Sequence, residues 1–117
     1  MSGGLLALIQ NPEPLDKLRN DPRLVDSAVE EVLRWTTPVI QVCRTATADF
    51  KLRDTTIRTG DPMCLFYPSA NRDEGFPEDP FEFPIDRQPK RHLAFGIGGQ
   101  FCLGANFARL ERRVRFR

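Results

Sequence analysis

The chain has 117 residues, with 17 lysines and arginines against 16 aspartates and glutamates and a formal net charge of +1. That length supports one domain, and it excludes an enclosed cofactor pocket with two complete walls, because only about two-thirds of the unfolded surface is buried at this size. The near-balance of charge excludes attachment to nucleic acid or an anionic membrane by net charge alone. No signal peptide, transit peptide or membrane span is visible, so the expected compartment is the cytoplasm. Three cysteines, Cys43, Cys64 and Cys102, lie far apart, and an odd number argues against a closed disulfide framework. With His92 the only histidine and no C-x-x-C pair, a tetrahedral zinc site is not expected.

In chain order, residues 3–10 read as the end of an apolar helix that begins upstream. Asn11, Pro12 and Glu13 supply a capping side chain, a pre-set φ and an early carboxylate for a short helix to about Arg19. Asp21-Pro22 breaks it. The next helix is predicted from about Leu24 to Trp35, with Val25, Ala28, Val29, Val32 and Trp35 at helical spacing, and Pro38 ends it. β-Branched residues around 42–47 and 55–57, then residues 63–67, predict short strands of a small sheet, with Thr59-Gly60-Asp61 as a turn. Residues 71–91 hold Pro77, Pro80, Pro84 and Pro89 among Phe76, Phe81 and Phe83. That run is too proline-rich for regular structure and too aromatic for disorder, so an ordered coil packed by its phenylalanines is expected.

Residues 95–104, F-G-I-G-G-Q-F-C-L-G, bring one cysteine to the start of a final helix. Leu103, Phe107, Leu110 and Val114 recur at steps of four, three and four, the spacing of one apolar helix face. A cysteine at a helix N-terminus is favoured as thiolate. Gly96, Gly98, Gly99 and Gly104 let the backbone turn tightly beside a flat ligand. Such a thiolate suits a soft metal such as haem iron, although an ordinary buried cysteine before a helix fits the same pattern.

The loop resembles the haem-ligand signature of the cytochrome P-450 monooxygenases, F-G-x-G-x-(His or Arg)-x-C-x-G, at every position except Gln100. The resemblance implies haem b (iron protoporphyrin IX) with Cys102 as the iron ligand, Phe95 packed beside the sulfur, and Gly96, Gly98 and Gly104 shaping the loop. Glu31 and Arg34, in E-V-L-R, match the family's E-x-x-R pair, which implies a buried ionic network with a later arginine. A solvent-exposed Glu30–Arg34 or Glu31–Arg34 pair is the alternative on spacing alone. Asp79 to Arg87 resembles the family's P-x-R-F stretch, with Glu82 where many members place arginine. Arg87 is either the third member of the network or a surface arginine.

Arg44 matches a family position that contacts a haem propionate, and His92 and Gln100 are further candidate anchors. Val39 and Ile40 correspond to a stretch lining the substrate pocket, although core packing explains them as well. The implied fold is mainly α with a small β-sheet, a single partial domain over residues 1–117 that is truncated at both ends. The implied parent is a monooxygenase acting on an apolar small molecule, with sterols or terpenoids suggested by W-T-T-P-V and S-A-N-R-D-E. It would use dioxygen and electrons from a partner such as a ferredoxin. From a different class, a non-catalytic remnant that binds haem poorly or not at all is the alternative for the isolated chain.

Overall fold

A computed structural model describes residues 2–75, 79–88 and 90–116. Helix α1 spans Ser2–Gln10 and α2 spans Pro12–Asn20. Asn11 does not cap α2 with its side chain as the sequence suggests. Its amide instead donates back to the Ala7 carbonyl at 2.7 Å, filling an acceptor at the end of α1. The Asp21 carboxylate accepts the Arg23 backbone N–H at 3.1 Å and caps a short 3-10 turn, Pro22–Leu24, which leads directly into α3, Val25–Thr36. Thr37 closes α3 in the left-handed region at φ 36°, just before Pro38, where a further helical residue is disfavoured.

The apolar stripe of α3 forms the core: Val25, Ala28, Val29, Val32 and Leu33 pack with Ala7 and Leu8 of α1 and with Phe83 and Ile85 of the coil. The α1–α3 approach depends on Gly4, where a Cβ would lie 2.5 Å from Cγ1 of Val32. Gly4→Ala is expected to destabilise by about 1–3 kcal/mol through overpacking, although alanine is the better helix former. A lower urea midpoint is the expected reading; a midpoint raised by helix propensity would contradict the close contact.

The β region forms two separate antiparallel ladders rather than one small sheet. Strand β1, Gln41–Thr45, pairs with β4, Pro62–Phe66, while β2, Phe50–Leu52, pairs with β3, Thr55–Ile57. The sequence reading has no counterpart of β2, because its turn, Arg53-Asp54, carries no glycine even though Arg53 sits at φ 52°. Tyr67 leaves β4 and opens the short helix α4, Tyr67–Ala70. In the coil, Phe83 is buried against Trp35 with ring centroids 5.3 Å apart, whereas Phe81 is exposed. Phe76, Pro77 and Pro89 lie outside the described residues.

The last helix, α5, Ala105–Arg115, starts three residues after Cys102, with Gly104 at its N-cap, so the cysteine precedes the helix instead of opening it. Its apolar stripe also faces differently from expectation. Leu103, Phe107, Leu110 and Val114 are exposed, and the face carrying Ala105, Arg109 and Arg112 is turned inward. On that inward side Arg109 and Arg113 meet Glu30 and Asp26 of α3, each at 2.7 Å.

Candidate functional site

The glycine-rich loop folds back on itself before α5. Gly96 and Gly98 take φ of +75° and +73°, where a side chain is strained, and a Cβ on Gly96 would sit 3.3 Å from the Tyr67 hydroxyl. The Gly96 N–H donates to the Leu93 carbonyl and the Cys102 N–H to the Phe95 carbonyl, each at 2.9 Å, so Phe95 and Cys102 are tied across the loop. The Cys102 thiol is exposed, flanked by exposed Ile97, Phe101 and Leu103. Added Cβ atoms on Gly98 and Gly99 meet nothing within 4 Å, so open space fronts this part of the loop.

Two cavities adjoin the loop. One, of about 350 Å³, is lined by Arg44, Leu65, Phe66, Gly96, Ile97 and Gln100, among others. The other, of about 650 Å³, takes His92, Phe95, Gly96, Gly98, Phe101 and Arg109 into its wall. Arg44 is exposed, and its guanidinium donates to the Cys43 carbonyl at 2.9 Å. Val39 and Ile40 are exposed and line neither cavity.

Behind the loop lies a buried ionic network. Arg34, with its side chain only 2% exposed, donates to both Glu31 oxygens at 2.9 and 2.7 Å. Its remaining N–H groups reach the carbonyls of Asn71, Pro80 and Glu82, each at 2.9 Å. All five guanidinium donors are therefore satisfied, the condition under which a buried charge is tolerated. Arg87 approaches the same carboxylate at 3.3 Å and donates to the carbonyls of Asp79 and Glu82 at 2.8 and 3.0 Å. Glu82 enters through its carbonyl while its residue is exposed, so the identity of its side chain does not bear on the network.

A second cluster ties α3 to the loop. Glu30 accepts two hydrogen bonds from Arg109, at 2.7 and 2.9 Å, and faces His92 Nε2 at 3.1 Å. The Ala94 N–H donates to His92 Nδ1, which places the imidazole proton on Nε2, directed at Glu30. The Arg109 guanidinium also lies 4.8 Å from the Phe95 ring centroid. Burial pushes the Glu30 carboxyl up, but the hydrogen bonds from His92 and Arg109 and the Arg109 charge outweigh it and bring its pKa down to about 2. A depressed carboxylate stabilises the fold above its unfolded value of about 4.5 and loses that contribution as pH falls towards 2. Acid unfolding should therefore cost the protein about 2 kcal/mol here after discounting for solvent screening. Glu30→Gln should flatten the stability profile across this pH window; an unchanged slope in urea titrations counts against the cluster.

Sequence reasoning missed Glu30, Arg109 and Asn71. Glu30 and Arg109 are 79 positions apart, beyond any helical spacing. Asn71 donates to Thr37 Oγ1 at 2.9 Å and accepts the Leu93 N–H at 2.7 Å, linking α3, α4 and the entry to the loop. Arg72 donates to the Trp35 carbonyl at 2.9 Å and lies 4.9 Å from its ring centroid. The residues of W-T-T-P-V and S-A-N-R-D-E thus supply part of the scaffold that the glycine loop rests on.

A family model described as cytochrome P-450 matches residues 1–116. The chain belongs to the cytochrome P-450 family. Among its relatives in that family, a methyl-branched lipid omega-hydroxylase of Mycobacterium bovis is 50% identical over 97% of this chain and 27% of its own length. A steroid C26-monooxygenase of Mycobacterium tuberculosis is 46% identical over 95% of this chain and 30% of its own length. The solved structure of the bacillaene polyketide synthase cytochrome P-450 PksS of Bacillus subtilis superposes with a TM-score of 0.93 at 43% identity, covering 97% of this chain and 30% of that one. The chain thus spans under a third of the length of these cytochromes P-450. Membership implies a haem cofactor, and the mainly α fold with small antiparallel ladders is that of the matching part of the family. Among the described residues, no helix is long and apolar enough to cross a membrane.

Proposed function

We propose that this chain is the haem-binding portion of a monooxygenase acting on an apolar small molecule, with Cys102 as the axial ligand of haem b. The observation that carries the reading is the loop itself: one exposed soft donor, held by the backbone hydrogen bond from Cys102 to Phe95, beside glycines that leave open space in front of them. The donor set fits. A thiolate suits haem iron, the exposed Ile97, Phe101 and Leu103 offer apolar contact to a macrocycle, and Arg44 and Gln100 share a cavity where carboxylate arms find donors. His92 acts through position, because its one N–H is directed at Glu30 and Glu30 in turn fixes Arg109 over Phe95.

When bound, haem supplies activation of dioxygen. The chain contributes a donor fixed in direction, apolar side chains beside the sulfur, and Arg44 as an electropositive edge for the propionates. Val39 and Ile40 lie on the approach to β1 and are proposed to meet substrate. The names of the lipid and steroid relatives support an apolar substrate of that class. Electrons are proposed to come from a separate carrier of the ferredoxin kind. For the chain by itself, the exposed Leu5, Ile9, Phe107, Leu110 and Val114 favour a second reading, a scaffold without turnover.

The test is a haem titration followed by the spectrum of the reduced carbon monoxide complex. A thiolate-type Soret band is the expected result. An imidazole-type band, for which His92 is the only source, or no complex at all overturns the assignment of Cys102.

A further inference from the structure

The β1–β4 ladder carries a feature that haem binding does not use. Cys43 and Cys64 are direct register partners. The Tyr67 N–H donates to the Ile40 carbonyl and the Ala46 N–H to the Asp61 carbonyl, so residues 40 and 46 occupy hydrogen-bonded pairs. Pairs alternate along an antiparallel ladder, which puts residues 41, 43 and 45 in non-hydrogen-bonded pairs. Pro62, which has no N–H to donate, sits opposite Thr45 in keeping with that phase. Cα atoms in such pairs are about 4.5 Å apart, within the range a disulfide spans, and their side chains project from the same face.

Both cysteines are exposed, and the Cys64 thiol donates to Gln41 Oε1 at 3.3 Å. Shielding within the ladder, followed by the hydrogen bond and charge of Cys43, pushes the Cys64 thiol up. Strand alternation places them on the face opposite Arg44, which lines the smaller cavity.

We propose that Cys43 and Cys64 are an oxidative modification site that closes reversibly into a cross-strand disulfide by exchange with a low-molecular-weight disulfide. In that exchange the Cys43 thiolate attacks one sulfur of oxidised glutathione and displaces a glutathione thiolate. The Cys64 thiolate then attacks the Cys43 sulfur of the mixed disulfide and displaces the second. Two electrons pass from the protein pair to the glutathione disulfide, and the two protein protons go to the released thiolates. The bond fixes the register of the strand that carries Arg44. This site is independent of the haem reading, since neither sulfur lies in the glycine loop.

The experiment incubates the full chain with oxidised glutathione, alkylates the remaining thiols, and maps linked peptides by mass spectrometry under native conditions and in urea. Under native conditions the Cys43–Cys64 link should exceed either link to Cys102 by at least about tenfold, a bias set by strand geometry that vanishes in urea. Cys64→Ser should leave Cys43 as a lasting glutathione adduct. Links to Cys102 matching Cys43–Cys64 under native conditions, the same distribution with and without urea, or both ladder thiols remaining alkylatable while Cys102 is modified each overturn the proposal.

Discussion

Arg34→Ala should abolish the cooperative unfolding transition of the chain. The substitution leaves the Glu31 carboxylate, itself 3% exposed, facing Arg87 alone, and takes the Arg34 donors away from the carbonyls of Asn71, Pro80 and Glu82. Breaking a buried pair from one side costs about 3–5 kcal/mol. Domains are stable by only about 5–15 kcal/mol, and a short chain sits at the low end. Arg34→Lys should recover little, because an ammonium has three donors in a compact head and lacks the planar fork that reaches one carboxylate and three carbonyls together. Circular dichroism melts provide the measurement, with the exposed Arg44→Ala as the unchanged control. A midpoint in Arg34→Ala equal to that of the parent rules out a structural network.

Cys102→Ser should have the largest effect on cofactor chemistry and almost none on the fold. Serine keeps the size of the side chain and leaves the Cys102–Phe95 backbone bond intact, and the thiol is exposed, so stability should move by no more than about 0.5 kcal/mol. The hydroxyl is a hard, poorly ionised donor, so the thiolate-type Soret band should disappear. Equal melts combined with a lost band separate ligation from folding. A thiolate-type band that survives in the serine variant moves the ligand to another residue.

What could be read from the residues alone follows the range of the physics involved. Start and break signals located α2, and helix periodicity α3, to within a residue or two, since the Asn11-Pro12-Glu13 start, the apolar stripe from Val25 to Trp35 and the breaks at Asp21-Pro22 and Pro38 are local signals. Glu31 and Arg34 meet because three positions bring them onto one helix face, and a familiar motif pointed to them. Arg87 lies on Glu31 across 56 positions, a contact that resemblance suggested and spacing alone left open. Glu30, next to Glu31, entered only as a partner for Arg34 in an exposed pair, because nothing near it in the chain announces Arg109 or His92. The orientation of α5 was hidden for a related reason: periodicity marked one apolar stripe, Leu103, Phe107, Leu110 and Val114, whereas the ion pairs of Arg109 and Arg113 with Glu30 and Asp26 join distant parts of the chain and leave no local signal.

The acceptors that Arg34 finds in the coil are main-chain carbonyls, not side chains. A guanidinium that reads peptide groups places little demand on which amino acids supply them. Evolution is therefore free to rewrite this stretch by neutral drift so long as its path is preserved, and Glu82, exposed and engaged through its carbonyl, is a position open to such exchange. Saturation mutagenesis should accordingly score the coil by backbone compatibility, with prolines and glycines harmful and polar exchanges silent.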